Sequence, residues 1–222
     1  MEERDAVLNT CALFTGITDG ELEGVLNCLA PKTRKYSKND TVLIAGDDVT
    51  SVGIILSGKV QVVKVDFSGN KNIMTELSTG ELFAEVFSFA KIKKLPVTVI
   101  SVTESVILFI DYKKIITPCA FACEFHRRLI ENMMWIIAQK NVMLNQKIEH
   151  ISKRTTREKL ISYLSAMAQK SDSFSFDIPF DRQGLADYLC VERSAMSAEL
   201  SKMKSEGLID YYKNSFRLLT HK

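Results

Sequence analysis

Three residues with metal-binding or redox chemistry recur at helical spacing: Cys119, Cys123 and His126 stand four and three residues apart. On a helix they share one face, where sulfur and imidazole ligands can bind a metal ion or respond to oxidation. Cysteines that pack as small apolar side chains are the alternative, and it is the interpretation that we favour.

The composition indicates a soluble protein with no catalytic motif. Of the 222 residues, 46% are hydrophobic and 25% are charged, and no apolar run approaches the roughly 20 residues that a membrane span needs. Five cysteines without an export signal argue against a disulfide framework and for a cytoplasmic location. No nucleophile stands at a convincing spacing from a base, so an enzyme is the least expected class.

A long helix is predicted from Thr117 to about Ser152, with Thr117 as its cap and Pro118 in its first turn. Along it, side chains recur at alternating spacings of four and three, the heptad seam through which two helices pack together. The seam consists of Ile130, Met134, Ile137, Asn141, Leu144 and Ile148. We therefore predict a homodimer.

The apolar face of this helix is wider than the seam. Met133, Trp135 and Ile136 extend it, which indicates that part of the helix also packs on its own domain. Asn141 is the polar member of the seam and has two interpretations. Its amide either pairs across the dimer and fixes register, or contacts an effector bound in the preceding domain. We favour the second.

The chain before the long helix is predicted to be short helices and then strands. Apolar residues at helical spacing end at Pro31, and from Thr33 to Asp111 short runs rich in Val and Ile alternate with turn signals. This pattern predicts an antiparallel sandwich or barrel, with its most credible hairpin turn at Ser68–Asn72. The runs are Thr41–Ala45, Val52–Leu56, Lys59–Val65, Ile73–Leu77, Val97–Thr103 and Ser105–Ile110.

The chain after the long helix is predicted to form a helix, a short strand, two more helices and a hairpin. A capping box of Thr155 and Glu158 begins the first helix. The further elements are Phe174–Ile178, Arg182–Leu189, Glu192–Glu206, Leu208–Tyr212 and Phe216–Leu219. Two helices followed by a hairpin are typical of a winged helix-turn-helix. From Lys153 onward there are twelve Lys and Arg against nine Asp and Glu, a balance compatible with nucleic acid.

Three segments, Ile54–Val62, Gly80–Glu85 and Asp181–Ile209, resemble the cyclic-AMP receptor protein/FNR (Crp/Fnr) family of bacterial transcription regulators. The resemblance covers nearly the whole chain and implies an α+β fold. In this fold a cupin-like β-roll of the cyclic-nucleotide-binding type (residues 1–116) precedes a dimerisation helix (117–152) and a C-terminal winged helix-turn-helix (153–222).

The resemblance places an effector site at Gly80, Glu81, Ala84, Glu85, Leu95 and Pro96. Ala84 stands where a backbone close to a phosphate favours glycine. Leu95 replaces the arginine that clamps the phosphate, and Pro96 replaces the hydroxyl residue after it. Glu85, the partner of a ribose hydroxyl, remains. We therefore predict an unidentified small-molecule effector other than cyclic AMP.

Other anions and cofactors leave weaker traces. Lys91, Lys93 and Lys94 follow the effector segment, where they are either solvated or contact another anion. Cys11 and Cys28 are too isolated for an iron–sulfur cluster, and no haem signature is present, so the cofactor is unknown.

The resemblance also implies that the helix from Glu192 enters the major groove of a palindromic operator. Arg193 is the best base reader, because its planar guanidinium can bind guanine O6 and N7, and Ser194 and Ser197 share its face. Ala198 stands where a second basic reader is common. The residues better placed for phosphate are Arg182, Ser201, Lys202, Lys204 and Lys213.

A dimeric, sequence-specific DNA-binding regulator is therefore the predicted function, with RNA polymerase as a further candidate partner. The alternative is a sensor that acts through protein contacts and whose DNA-binding domain is degenerate. Arg193 and the intact helix spacing argue against this alternative.

Overall fold

The computed structural model describes residues 2–65, 71–117 and 124–219, and the chain divides into two units, Met1–Ala138 and Gln139–Lys222. The first unit opens with α1 (Glu2–Thr10), a 3₁₀ turn (Ala12–Phe14) and α2 (Asp19–Leu29). Ala30 ends α2 in the left-handed conformation, directly before Pro31. The predicted short helices are confirmed.

Two four-stranded antiparallel sheets follow, in the orders β1-β8-β3-β6 and β2-β7-β4-β5. Their strands are β1 (Lys32–Tyr36), β2 (Thr41–Leu43), β3 (Ser51–Ser57), β4 (Lys59–Val65), β5 (Lys71–Ser78), β6 (Leu82–Phe83), β7 (Thr98–Ser101) and β8 (Ser105–Asp111). All six predicted strands are present, which confirms the β-roll. The predicted turn at Ser68–Asn72 lies largely outside the described residues.

The central strand β3 is buried on both faces, which explains its continuous apolar run. Val52 and Ile54 belong to the core shared with α1, α2 and the long helix. Ile55 points the opposite way, into the core between the two sheets. Gly53 shares that side with Ile55, and a Cβ there would lie 2.2 Å from Cζ of Phe83. Any larger residue here would force the buried ring of Phe83 to move, so close packing favours glycine.

Four short elements were not predicted, among them the two-residue strand β6. The edge strand β1 is charged and almost wholly exposed, and it is held by antiparallel pairing with β8. Two single-turn helices, α3 (Glu85–Phe89) and α4 (Tyr112–Ile116), follow β6 and β8. Neither is long enough to show helical periodicity in its sequence.

The long helix is α5, which runs from Glu124 to Ile151 in the described residues. The predicted start at Pro118 lies outside them. Leu129, Met133 and Ile136 are buried in the core of the first unit, as the wide apolar face predicted. Trp135 was expected to join them but is 58% exposed, because the helix turns it away from that core. The interpretation of Trp135 as a core residue is wrong.

The second unit continues with α6 (Thr156–Ser171), β9 (Ser175–Asp177), α7 (Arg182–Leu189), α8 (Arg193–Ser205), β10 (Ile209–Tyr212) and β11 (Ser215–Leu218). The last three strands form a sheet in the order β10-β11-β9. The capping box at Thr155 and Glu158 is present. Leu185, Met196 and Leu200 are fully buried in one core, so the predicted winged helix-turn-helix is confirmed. No helix within the described ranges is both long and apolar enough to cross a membrane.

Candidate functional site

Helix α8 begins with an acidic cap that the sequence did not reveal. The carboxylate of Glu192 accepts a hydrogen bond from the backbone N–H of Ala195 at 2.8 Å and another from the hydroxyl of Ser194. These hydrogen bonds, that from Ser194 foremost, hold the pKa of Glu192 below its ordinary value. Glutamate is an uncommon cap, so the position carried little signal. As a result, Ser194 is engaged within its own turn.

One face of α8 is buried and the other is open. Met196, Leu200 and Met203 pack in the core of the second unit. Arg193 and Lys202 lie on the exposed side, where Ser194 and Ser201 are also exposed, while Ser197 is half-buried. This distribution follows from helical periodicity, and it leaves Arg193 accessible for base reading, whereas Ser194 is engaged in its own turn and Ser197 is half-buried.

Two basic residues of α6 hold the helix-turn-helix in place. Arg157 forms an ion pair with Glu199 on α8, at 3.3 Å, and another with Glu206, the residue that follows the last turn of α8. Hydrogen bonding with Glu206 raises the pKa of Arg157 above its ordinary value. The ammonium of Lys159 donates to the carbonyls of Leu189 and Cys190, at 3.2 and 3.4 Å. Since these carbonyls end α7, Lys159 serves as its C-terminal partner.

A cleft of about 720 Å³ lies beside the N-terminus of α8. Three cations line it: Arg182 from α7, Arg193 from α8 and Lys213 from the tip of the hairpin. Asp181 also lines the cleft, and its carboxylate caps α7 by accepting a hydrogen bond from the N–H of Gly184 at 2.7 Å. The other lining residues are Pro179, Phe180, Gln183 and Asn214. The cleft thus brings together three side chains that were predicted separately.

Arg182 is attached to the hairpin of its own domain. Its guanidinium carbon lies 4.7 Å from the ring centre of Tyr211 and 5.1 Å from that of Phe216. Loss of solvent lowers the pKa of Arg182 from its ordinary value. The side chain is half-buried, so only part of its charge faces the cleft.

The remaining predicted phosphate contacts differ in how far they are engaged. Lys204 forms an ion pair of 2.6 Å with Asp210, so its charge is largely balanced within the domain. The hydroxyl of Ser201 donates to the carbonyl of Ser197 at 3.0 Å. Lys213 is exposed at the hairpin tip, 5.5 Å from the ring centre of Tyr212. Lys202 and Lys213 are consequently the more available of these cations.

The predicted effector segment forms a tight turn and the start of α3. The carboxylate of Glu81 accepts from the N–H of Ser78 at 2.7 Å, and Gly80 has a φ of 87°. Ala84 caps α3 with a φ of 65°, in the region that favours glycine. Glu85 follows it and is 2% exposed. The backbone here thus keeps a glycine-like shape without a glycine.

The positions that depart from the cyclic-nucleotide pattern provide no cation. Leu95 is 3% exposed, and its backbone pairs with Gly46 and Asp47 in the loop before β3. Pro96 is exposed. Lys94 lies in the loop just before Leu95 and pairs with Asp48 at 3.2 Å.

Asn141 belongs to the second unit and is exposed. Its side-chain oxygen accepts from the amide of Asn145 at 2.9 Å along the same helix. Both interpretations of Asn141 stay predictions.

The cysteine and histidine pattern gives a different pair from the one predicted. Cys119 and Cys123 lie outside the described residues, so their arrangement with His126 stays a prediction. His126 itself is 3% exposed, and its Nε2 lies 3.9 Å from Sγ of Cys28 on α2. The sequence did not predict the contact of Cys28 with His126, since the two residues are 98 positions apart.

Comparison with known proteins agrees with the architecture. The family described as a cyclic nucleotide-binding domain matches residues 33–119, and the family described as a Crp-like helix-turn-helix domain matches residues 158–221. The cAMP-activated global transcriptional regulator CRP of Haemophilus influenzae is 27% identical over 135 residues. That alignment covers 61% of this chain and 55% of the relative's length.

Solved structures share the fold at low sequence identity. The catabolite activator protein of Thermus thermophilus aligns with a TM-score of 0.55 at 18% identity, covering 93% of each chain. The c-di-GMP responsive global regulator CLP of Xanthomonas campestris aligns with a TM-score of 0.58 at 15% identity, covering 90% of this chain and all of the other. With a cyclic nucleotide-binding domain, a long helix and a Crp-like helix-turn-helix in this order, the chain belongs to the Crp/Fnr family.

Proposed function

We propose that this protein is a dimeric, sequence-specific DNA-binding transcription regulator whose N-terminal domain responds to a small molecule other than cyclic AMP. The observation that carries the proposal is the exposed Arg193 at the N-terminus of α8, beside a cleft shared with Arg182 and Lys213. A helix N-terminus flanked by cations suits the major groove and the phosphates on its edges.

The proposed division of labour follows from how far each cation is already engaged. Arg193 reads a base, because its guanidinium is exposed and can donate two parallel hydrogen bonds to guanine. Lys202 and Lys213 bind phosphates. Lys204 contributes less, since Asp210 neutralises it at 2.6 Å. Arg182 contributes a fixed, partly shielded charge.

The dimer is supported by the exposed apolar side chains of α5. Met134, Leu144 and Ile148 are 67%, 59% and 57% exposed although they follow one heptad seam. A seam of this kind buries itself against an identical helix. A second copy of the chain also provides the second half-site reader that a palindromic operator requires.

The proposal of a different effector rests on the effector segment. The relative from Haemophilus influenzae is cAMP-activated by name. Here, the position of the phosphate-clamping arginine is the buried Leu95, and a phosphate placed there would lack its bidentate partner. Buried Glu85 still suits a hydroxyl-bearing ligand.

The domain boundaries at 116 and 152 stay predictions.

The decisive experiment compares two duplexes. A preferred operator is first selected from a random pool, and binding of the full chain to it and to a scrambled duplex of equal length is titrated across a salt series. We expect Arg193→Ala to cost about 1–3 kcal/mol on the operator and little on the scrambled duplex. We expect Lys202→Ala to weaken binding to both duplexes alike. It should also reduce the slope of log affinity against log salt concentration by the amount expected for about one phosphate contact.

Lys170→Ala is the matched control, because Lys170 is an exposed lysine at the end of α6, outside the cleft. It should bind both duplexes as the wild type does. Equal losses on both duplexes for Arg193→Ala would remove Arg193 from base readout. A wild type that selects no operator would favour a sensor that acts through protein contacts.

A further inference from the structure

We propose that Tyr188 on α7 is a positioning residue that, through its contacts with Lys147 and His150 of α5, sets the half-site spacing preferred by the dimer. Nζ of Lys147 lies 5.2 Å from the ring centre of Tyr188, where a cation is attracted to an aromatic face. The ring centres of His150 and Tyr188 are 6.4 Å apart. All three residues belong to the second unit. The inference rests on the proposed function, because it concerns how two copies of the chain bind one operator.

Helix α5 is not attached through the hydrophobic core of the second unit. That core consists of side chains from α6, α7, α8 and the sheet β10-β11-β9, and no described residue of α5 belongs to it. A second cleft, of about 590 Å³, is lined by residues of both α5 and α6, so these two helices are separated along one side. The contacts of Lys147 and His150 therefore have a large share in holding α5 against the rest of the unit.

A series of packed rings connects the end of α5 with the cleft beside α8. The ring of His150 packs edge-on against Tyr163 of α6, with the ring centres 5.7 Å apart. Tyr188 packs against Tyr163 at 5.4 Å and against Phe180 at 4.9 Å. Phe180 in turn lines the cleft that also contains Arg193. Because closely packed side chains yield little, the position of the proposed base reader depends on where α5 meets these rings.

The angle between α5 and the helix-turn-helix determines how far apart two recognition helices lie when two copies pair through α5. One base pair added between the half-sites moves one of them by about 3.4 Å along the duplex and also rotates it around the duplex axis. A dimer with a fixed angle therefore favours one spacing. A dimer in which this angle is loosened accepts the neighbouring spacings as well.

The test measures binding of the full chain to duplexes that differ only in spacing. Each carries two half-sites of the selected operator, at the preferred distance or with one base pair more or fewer, and a further duplex carries a single half-site. Lys147→Met removes the cation but keeps an apolar stem. We expect it to reduce the ratio of affinities for the preferred and altered spacings by about threefold to tenfold. Affinity for the single half-site should stay near the wild-type value, which also shows that the domain is folded.

Conservative variants separate the contact from general effects of substitution. Lys147→Arg and Tyr188→Phe keep the cation and the ring, so both should keep the wild-type ratio, whereas Tyr188→Leu should lower it. Lys170→Met is the matched control, because Lys170 is an exposed lysine at the end of α6 and contacts no ring in the described part of the chain. It should keep the wild-type ratio.

A wild-type ratio in Lys147→Met would overturn this inference and leave the proposed function intact. Lys147 is half-buried at the surface, so this variant decides the question even where Tyr188→Leu fails to fold. A wild type that binds every spacing with equal affinity would contradict the dimeric readout, and this inference with it.

Discussion

The guanidinium of Arg182 stacks on the ring of Tyr211 at 4.7 Å, so a cation of the proposed DNA-binding surface is held by the hairpin behind it. Its Nη1 atom is buried and has no hydrogen-bond partner among the described residues. An orphaned donor costs about 1–3 kcal/mol, and a cation over an aromatic ring contributes about 0.5–2 kcal/mol. The two effects nearly cancel.

Arg182→Met should therefore keep the domain stable while weakening DNA binding. We expect the free energy of local opening to change by no more than about 1 kcal/mol, because Met fills the same space without an orphaned donor. Affinity for all duplexes should fall, since a charge near the phosphates is lost. Amide hydrogen exchange across α7 and α8 in the full chain gives the first quantity, and DNA titration gives the second. Unchanged affinity would exclude Arg182 from the surface.

Leu144→Lys should dissociate the proposed dimer, and Met143→Lys should not. The two neighbours are similarly exposed, at 59% and 65%, but only Leu144 lies on the seam. A charge in the seam is buried without a partner when two helices meet, whereas the same charge at Met143 stays in water. Sedimentation equilibrium of both variants measures the dimer dissociation constant. Equal effects of the two substitutions would place the dimer contact elsewhere.

Cyclic AMP and cyclic GMP should not bind at micromolar concentrations. Buried Leu95 and exposed Pro96 provide neither the guanidinium nor the hydroxyl that would pair with a cyclic phosphate. Calorimetric titration of the full chain checks this, with the cAMP-activated regulator of Haemophilus influenzae as the positive control. A micromolar dissociation constant for either nucleotide would show that another residue binds the phosphate.

His150 should make the second unit less stable as the pH falls. The ring is 4% exposed, lies 2.8 Å from the hydroxyl of Ser162 and packs edge-on against Tyr163. Burial lowers the pKa of His150; neighbouring Glu149 opposes this shift and Lys153 adds to it.

The sign of the effect follows from proton linkage. The ordinary pKa of histidine is about 6.5. At a pH below this value, His150 binds a proton in the unfolded chain, whereas in the folded chain it stays neutral until a lower pH. Stability is therefore full above that pH and decreases as the pH falls toward the lower folded value. Exchange protection of α6 amides, corrected for intrinsic rates, should drop over this range in the wild type and less in His150→Gln. Identical profiles would contradict the prediction.

The sequence predicted what local patterns determine. The strands of the β-roll and the helices of the second unit follow from periodicity and caps, of which Thr155 and Glu158 are the clearest. Strand β1 has no such pattern, because a charged edge strand is fixed by its pairing with β8.

The chemistry of the sites was only partly predictable, because some of their contacts join residues that are distant in the sequence. Arg193 was identified from its position in a helix. The contacts of Arg182 with Tyr211 and of Cys28 with His126 join distant segments, and each exists only once the fold has formed. The ion pair between Lys204 on α8 and Asp210 on β10 also depends on the fold, and the sequence did not predict it.

Helix α5 places adjacent residues in two different environments: Met133 is 1% exposed in the core of the first unit, whereas Met134, on the predicted seam, is 67% exposed. Over evolutionary time, Met133 should therefore change in step with the residues of its own unit that it contacts. Met134 should instead change in step with seam residues of another chain. Coupled substitutions along this helix would then include pairs of residues that are far apart within one molecule. Those pairs would identify the contacts between the two chains of the proposed dimer.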